Sequence, residues 1–226
     1  MENLGIIGTG KNAATWYFKK CQAIIQLKYG KNAAAAAVKL VIIPFEPINA
    51  ILPDQMEEAG RLLLPYLQQM DDSGVARFIL ANITLHEAID LQNQKVYFKN
   101  PFISLRMVVN KHWNTEIKKV MILGTYYTMQ SEYIPSLFNN FEIEFVHPNK
   151  KDFIAIDELR KTYYKTASPK LANKVFEQLK INNPEIECYI IACTEHALAL
   201  EDYVGSFVCF NLPELQCLEL VQNSVE

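Results

Sequence analysis

Residues 188–200 combine the residue types in this chain that are most able to do chemistry. A short apolar run rich in β-formers ends at Cys193, and Thr194, Glu195 and a helix-like apolar pattern follow. A strand, a corner and a helix start place Cys193 at the carboxyl end of a parallel strand, where open α/β sheets bind ligands. The start of a helix also favours the thiolate form of a cysteine. The alternative is a packing cysteine, since free cysteine is among the most buried residue types.

Composition and charge limit the classes of protein to which the chain can belong. Half of its 226 residues are hydrophobic and 21% are charged, which is enough apolar material for a sizeable core. A net charge of −3 argues against binding to nucleic acid or to a membrane surface, because proteins that bind either usually present a basic surface. Five scattered cysteines, with no secretory signal and no long apolar run, lead us to expect free thiols and a cytoplasmic location.

Strands and helices are predicted to alternate along the chain. Apolar, β-branched runs indicate strands at residues 4–7, 38–43, 78–81, 120–123, 142–146, 188–192 and 207–210. Helical spacing of apolar residues follows most of these runs, and a last helix begins near Pro213. This alternation predicts an α/β fold with largely parallel sheets.

The two halves of the sequence resemble each other, which indicates an internal duplication. The run Ile6-Ile7-Gly8-Thr9 matches Ile122-Leu123-Gly124-Thr125, and Ile79-Leu80-Ala81-Asn82 matches Ile190-Ile191-Ala192-Cys193. Two similar lobes facing each other would bring these strand ends to a shared cleft, with Asn82 opposite Cys193. Coincidence is the alternative, because short apolar strands resemble each other easily.

The chain resembles the cofactor-independent aspartate/glutamate racemase superfamily over nearly its whole length. The motifs that carry the resemblance are Ile6-Ile7-Gly8 with Thr15, Thr84-Leu85-His86, Leu123-Gly124-Thr125 with Thr128-Met129 and Ser131-Glu132-Tyr133, and Cys193-Thr194-Glu195. The last two blocks are the specific ones. In such proteins two α/β lobes, each with a small mainly parallel sheet flanked by helices, are related by a pseudo-two-fold axis and hold the substrate between them.

The resemblance implies an isomerase that needs neither a cofactor nor a metal and forms a homodimer. Its substrate would be a small amino or dicarboxylic acid. Two cysteines, one per lobe, would move a proton on opposite faces of the substrate's α-carbon. We place the first lobe at residues 1–99 with 207–226, whose C-terminal helix packs back, and the second lobe at residues 100–206.

The sequence departs from the superfamily at the first of these cysteines. The pattern Cys-Asn-Thr-x-His is replaced by Asn82-Ile83-Thr84-Leu85-His86. An amide neither takes nor gives a proton near neutral pH, so Asn82 cannot be the second acid/base. Cys193 remains the candidate for proton transfer at one face. His86 could serve the other face, because imidazole titrates near neutrality, and the alternative is a helix-start histidine bonded to backbone.

Several further residues are candidates for substrate binding. An α-carbanion needs donors aimed at the substrate carboxylate, and Thr84, Thr128 and Thr194 fit this role, with turn or N-cap threonines as the alternative. Glu195 could contact a substrate amine or face the helix start, and it would disfavour a Cys193 thiolate if both pointed into the cleft. Lys11 could bind a distal carboxylate, or be an exposed loop lysine.

Three functions therefore stay open from the sequence. The first is a racemase-like proton transfer at Cys193. The second is decarboxylation of a malonate-type acid by a single thiol. The third is an inactive paralogue or carboxylate-binding protein that has kept the cleft and lost turnover.

Overall fold

The computed structural model describes residues 3–30, 38–92, 97–113, 116–166 and 168–222, which form two parallel sheets flanked by helices. One sheet lies in a first unit, Met1–Val108 with Glu214–Glu226, and the other in a second unit, Val109–Pro213. The predicted α/β fold with two small parallel sheets is confirmed.

The two sheets share a central arrangement of strands. The first has the order β2-β1-β3 and the second the order β5-β4-β6-β7. The strands are β1 (Leu4–Gly8), β2 (Val38–Ile42), β3 (Arg77–Ala81), β4 (Lys119–Leu123), β5 (Glu144–Phe145), β6 (Cys188–Ile191) and β7 (Cys209–Asn211). The three described strands of the first sheet thus correspond to the first three of the second, which supports the duplication seen in the sequence.

Helices follow most of the strands. In chain order they are α1 (Lys11–Tyr29), α2 (Glu46–Asn49), α3 (Met56–Asp71), α4 (Leu85–Asp90), α5 (Leu105–His112), α6 (Tyr133–Leu137), α7 (Lys150–Thr166), α8 (Pro169–Asn182), α9 (Thr194–Glu201) and α10 (Leu212–Gln222). Among the described helices, none has the length and apolarity that crossing a membrane requires.

Two strands of the first sheet are buried along their whole length. Every residue of β1 and β3 is buried, whereas β2 at the sheet edge is partly exposed. Continuous apolar runs without alternation are typical of parallel strands covered on both faces. One predicted strand is shorter in the structure: β5 has only two of the residues predicted at 142–146. The alanine run at 33–37 lies outside the described residues.

The units differ from the predicted lobes at two places: residues 100–108 lie in the first unit, and β7 lies in the second. This strand pairs in parallel with β6, with Tyr189 opposite Cys209. Phe210 also packs edge-on against Trp113, with ring centroids 5.0 Å apart. Residues 207–213 therefore belong to the second unit and not to the first lobe, and the chain returns to the first unit at Glu214.

Gln216 on α10 links its own helix to three other segments in the core of the first unit. Its Oε1 accepts a hydrogen bond from Tyr17 Oη at 3.1 Å, and its Nε2 donates to the Ile103 carbonyl at 3.1 Å. The same Nε2 lies 2.9 Å from Nε2 of His86. Gln216, Tyr17 and His86 are fully buried. A buried amide whose atoms are all engaged stabilises the arrangement, and leaving its partners unpaired is destabilising.

We expect Gln216→Leu to destabilise the protein by roughly 2–4 kcal/mol, because it leaves the Tyr17 hydroxyl and the Ile103 carbonyl without this partner in the core. Equilibrium urea unfolding measures the change. The matched control is Gln178→Leu, at an exposed amide that donates to Asn182 in its own helix, and it should change the unfolding free energy by less than about 0.5 kcal/mol. A loss for Gln216→Leu no larger than that of the control would contradict the assignment.

Candidate active site

The register of the second sheet brings two chain segments side by side at its carboxyl edge. The last paired residues of β4 and β6 are Leu123 and Ile191. Just beyond them, Ala192 N donates to the Leu123 carbonyl at 2.8 Å. Thr125 and Cys193 are therefore each the second residue after neighbouring strand ends. Cys193 lies at the edge where parallel α/β sheets bind ligands.

Gly124 allows the segment after β4 to fold back over the strand end. A Cβ atom on Gly124 would lie 2.9 Å from Cβ of Thr128, closer than such atoms approach in proteins. Thr128 is 3% exposed, and its Oγ1 lies 2.8 Å from Oγ1 of Thr125, which also accepts the Thr128 N–H. Thr128 thus closes a hydrogen-bonded turn beside the strand end.

The Cys193 thiol donates a hydrogen bond to the carboxylate of Glu195. The distance from Sγ to Oε2 is 2.7 Å. Cys193 has extended backbone angles as the residue before α9, so the Glu195 side chain in the first turn can reach back to it. Cys193 is 5% exposed and Glu195 is half-buried. The Glu195 side chain is therefore directed at the thiol.

The environment of Cys193 favours the neutral thiol. Burial raises the pKa of this thiol well above its usual value, and the negative charge of Glu195 raises the pKa further. The backbone N–H of Glu195 and the charge of Arg160 lower the pKa but do not overcome burial. The helix start therefore does not hold Cys193 as a thiolate. Cys193 is therefore held as a thiol that donates its proton to the Glu195 carboxylate in a hydrogen bond.

Arg160 on α7 supplies a positive charge to this environment. Its Nε and Nη2 both donate to Oδ1 of Asp157, at 3.1 and 2.9 Å. One turn earlier, the Ile156 carbonyl lies 2.9 Å from Nε2 of His196, so this face of α7 packs against α9. Arg160 interacts electrostatically with both Cys193 and Glu195. A guanidinium fixed by one carboxylate is well suited to hold a second, from a ligand.

The first sheet has an edge built in the same way. Gly8 at the end of β1 pairs with Ala81 at the end of β3, so Thr9 and Asn82 leave their strands as neighbours. A Cβ atom on Gly8 would lie 2.3 Å from Cβ of Ala14, so glycine is required for α1 to pack this close. Asn82 Nδ2 donates to Thr9 Oγ1 at 2.9 Å.

Asn82 also organises the start of α4. Its Oδ1 accepts a hydrogen bond from Leu85 N at 3.1 Å. Thr84 is half-buried and directly precedes this helix. An Asx-type bond of this kind replaces the missing helical partner of the first turn. Asn82 therefore has a defined structural role at the position of the expected first cysteine.

The structure places His86 in the core and not at the sheet edge. It is fully buried, and its Nε2 lies 3.2 Å from the Leu80 carbonyl. Burial lowers the pKa of His86 from 6.5 to about 4. A neutral, buried imidazole is a poor acid/base at neutral pH, so the geometry favours the structural alternative for His86. His196, likewise fully buried with a lowered pKa, packs α9 onto α7.

The other two predicted binding residues, Lys11 and Thr194, lie in different units. Lys11 is exposed at the first residue of α1 in the first unit. Thr194 is 4% exposed and begins α9 in the second unit, directly after Cys193. Within the described ranges, no three His, Cys, Asp or Glu side chains come together as a metal site needs.

Sequence reasoning missed Arg160 and Thr9 as residues of these edges. Arg160 lies on a helix well before Cys193, where an Asp157-x-x-Arg160 spacing is typical of a surface ion pair. Thr9 was visible through the matched Gly-Thr pairs at 8–9 and 124–125, which end equivalent strands. The signal for Thr9 was therefore the duplication itself.

Known proteins of the same fold were found among solved structures. An aspartate racemase homologue from Pyrococcus horikoshii has a TM-score of 0.78 and 21% identity, over 98% of both chains. A putative Asp/Glu racemase from Yersinia pestis has a TM-score of 0.72 and 19% identity, over 98% of both chains. The Picrophilus torridus aspartate racemase has a TM-score of 0.72 and 16% identity, over 98% of this chain and 94% of its own.

Comparison of the sequence with protein families and with curated proteins found no relative. No protein-family description and no curated protein matches the chain. The chain has the fold of the aspartate/glutamate racemases, which confirms the resemblance seen in its motifs at the level of the fold. It combines this fold with a thiol–carboxylate pair at one strand edge and an amide–hydroxyl pair at the equivalent edge.

We expect Glu195→Gln to make Cys193 react faster with iodoacetamide at pH 8. The substitution removes the negative charge that raises the thiol pKa, so the thiolate fraction and the alkylation rate should rise roughly three- to tenfold. Peptide mapping by mass spectrometry measures each cysteine separately, and Cys209, which lies on β7, provides the control within the same sample. An unchanged Cys193 rate would show that Glu195 does not set the acidity of the thiol.

Proposed function

We propose that the protein is a cofactor-independent isomerase of the racemase type, acting at the α-carbon of a small amino or dicarboxylic acid. The observation that carries the proposal is the Cys193 thiol, hydrogen-bonded to Glu195 at a strand edge of a racemase fold. Fold alone does not determine activity, so the proposal is argued from the chemistry of the residues at the site.

Glu195 acts as the proton acceptor that converts the resting thiol into a base. The thiol proton passes to the carboxylate 2.7 Å away, and the thiolate then takes the α-proton of the substrate. The electron pair of the broken C–H bond moves into the substrate carboxylate, which becomes an enediolate. A high pKa makes the thiolate a strong base for this weakly acidic proton, although the thiolate is sparsely populated.

Positive charge and hydroxyl donors would stabilise the enediolate. In the described residues Arg160 uses Nε and Nη2 for Asp157, and Nη1 donates to no protein acceptor. We assign Nη1 to a substrate carboxylate, and Thr128 and Thr194 to positions beside it. Lys11, exposed at the start of α1, stays a predicted ligand of a distal carboxylate. Fixed donors of this kind stabilise developing negative charge without reorganising during the reaction.

A single thiol predicts a one-sided reaction. Cys193 removes and returns a proton at one face of the α-carbon, and the proton that it has taken exchanges with solvent through Glu195 while the enediolate is bound. The α-proton of one enantiomer should therefore exchange with D2O faster than the two enantiomers interconvert.

Proton NMR of α-proton exchange in D2O, across a panel of amino and dicarboxylic acids, tests the proposal. We expect Cys193→Ala to lower exchange at least about 100-fold, the usual contribution of a general acid/base. Cys209→Ala, at the half-buried cysteine of β7, is the matched control and should retain exchange. Full exchange in Cys193→Ala, or equal exchange from both enantiomers in the unaltered protein, would refute the one-thiol mechanism.

We expect Asn82→Cys to raise the rate of enantiomer interconversion towards the rate of one-sided exchange, because it supplies the second thiol that the superfamily pattern contains. Chiral chromatography measures interconversion. Asn82→Ser is the control, since it can also bond the start of α4 but transfers no proton near neutrality. Equal interconversion by the two variants would mean that position 82 does not face the α-carbon.

Malonate-type decarboxylation is a second candidate, favoured by the protonated resting state of Cys193. Loss of CO2 from a disubstituted malonate leaves an enediolate, and the thiol would deliver its proton to one face of that carbon. Release of CO2 with formation of one product enantiomer would support this reaction over α-proton exchange.

A further inference from the structure

We propose that Thr9 and Asn82 form a two-donor fork that binds a carboxylate. The amide at the position of the superfamily's first cysteine would then be a binding group. The ligand class rests on the proposed function, whereas the fork itself rests on the hydrogen bonds of the first unit.

The orientation of the Asn82 amide follows from its partners. Leu85 N–H needs an acceptor, so the oxygen Oδ1 faces it at 3.1 Å and the NH2 group faces Thr9. One N–H of Nδ2 is donated to Thr9 Oγ1 at 2.9 Å. Thr9 Oγ1 therefore acts as an acceptor towards Asn82, and its own proton must be directed elsewhere.

Two donors remain unused at this edge. They are the second N–H of Asn82 and the O–H of Thr9, neither of which donates to a protein acceptor within the described ranges. Thr9 is 6% exposed, so its hydroxyl has little access to bulk water. A buried donor without an acceptor is destabilising, and a ligand acceptor would relieve that penalty.

A carboxylate matches this pair of donors better than a neutral acceptor does. The donor atoms are 2.9 Å apart and belong to groups that do not ionise near neutrality, so they can contact the two oxygens of one carboxylate together. The edge also precedes α1, a helix of 19 residues with no acidic residue in its first turn. The positive end of a helix dipole favours a nearby anion.

The equivalent edge of the second unit shows why the fork is particular to the first. There Thr125 bonds Thr128, and Cys193 bonds Glu195, so each residue finds its partner within its own segment. In the first unit, the Asn82 side chain instead reaches across to Thr9. A purely structural pair would explain Oδ1 at the start of α4, but not the two donors that no described acceptor uses.

Isothermal titration calorimetry with succinate as the probe tests the fork without requiring turnover. We expect Thr9→Val to weaken succinate binding about tenfold, since it removes one charge-assisted hydrogen bond. Thr9→Ser restores the hydroxyl and should bind within about twofold of the unaltered protein. Asn82→Asp keeps an oxygen for Leu85 N but replaces the donor by a negative charge, and should weaken binding more than Thr9→Val does.

Thr162→Val is the matched control, because the Thr162 hydroxyl donates to the Glu158 carbonyl within its own helix. It should leave succinate affinity unchanged, and thermal unfolding confirms that each variant is folded. Succinate affinity in folded Thr9→Val equal to that of the unaltered protein would overturn the fork, as would an unaltered protein that does not bind succinate.

The D2O exchange assay separates this inference from the proposed function. Weaker succinate binding by Thr9→Val, with no exchange of any acid by the unaltered protein, would support the fork and refute the isomerase. The opposite outcome is exchange by the unaltered protein together with a succinate affinity and a KM of Thr9→Val that equal those of the unaltered protein. That outcome would refute the fork and support the isomerase.

Discussion

The parallel register of the central strand pairs is the constraint on which the rest of the structure depends. Gly8 opposite Ala81, and Leu123 opposite Ile191, determine which residues leave the two sheets together. A shift of one residue would turn every side chain of a strand to the other face. Buried apolar residues on both faces of these strands resist such a shift, so the core determines the positions of the polar edges.

The two units use equivalent edges for different chemistry. The second unit holds an ionisable pair, Cys193 with Glu195, in which one proton can move over a short hydrogen bond. The first unit holds a neutral pair, Thr9 with Asn82, which can donate hydrogen bonds but cannot exchange protons near neutral pH. The two edges thus share a backbone arrangement, while Asn82 in place of Cys193 and Thr84 in place of Glu195 change what the first edge can do.

Much of this arrangement could be predicted from the sequence, because it depends on local patterns. Apolar runs followed by glycine and threonine indicated the strand ends, and the matched runs placed Asn82 and Cys193 in equivalent positions. The contributions that could not be predicted depend on side chains from distant segments. Arg160 interacts electrostatically with Cys193 because α7 packs on α9, and His86 is buried by contacts with Leu80 and Gln216. The compact units differ from the predicted lobes partly because β7 pairs with β6, a contact that no local pattern encodes.

The discontinuous first unit has a consequence for the order in which the chain acquires its structure during synthesis. Tyr17 and its partner Gln216 are separated by 199 positions, and the whole second unit is translated between them. Domains tend to fold as units while the chain emerges from the ribosome, so the continuous second unit can form first. The half of the protein that carries Cys193 would then exist as a folded body on the ribosome before the core around His86 is closed by α10. Until α10 is made, the nascent first unit exposes apolar surface to solvent. Of the two units, it would therefore depend more on protection from aggregation.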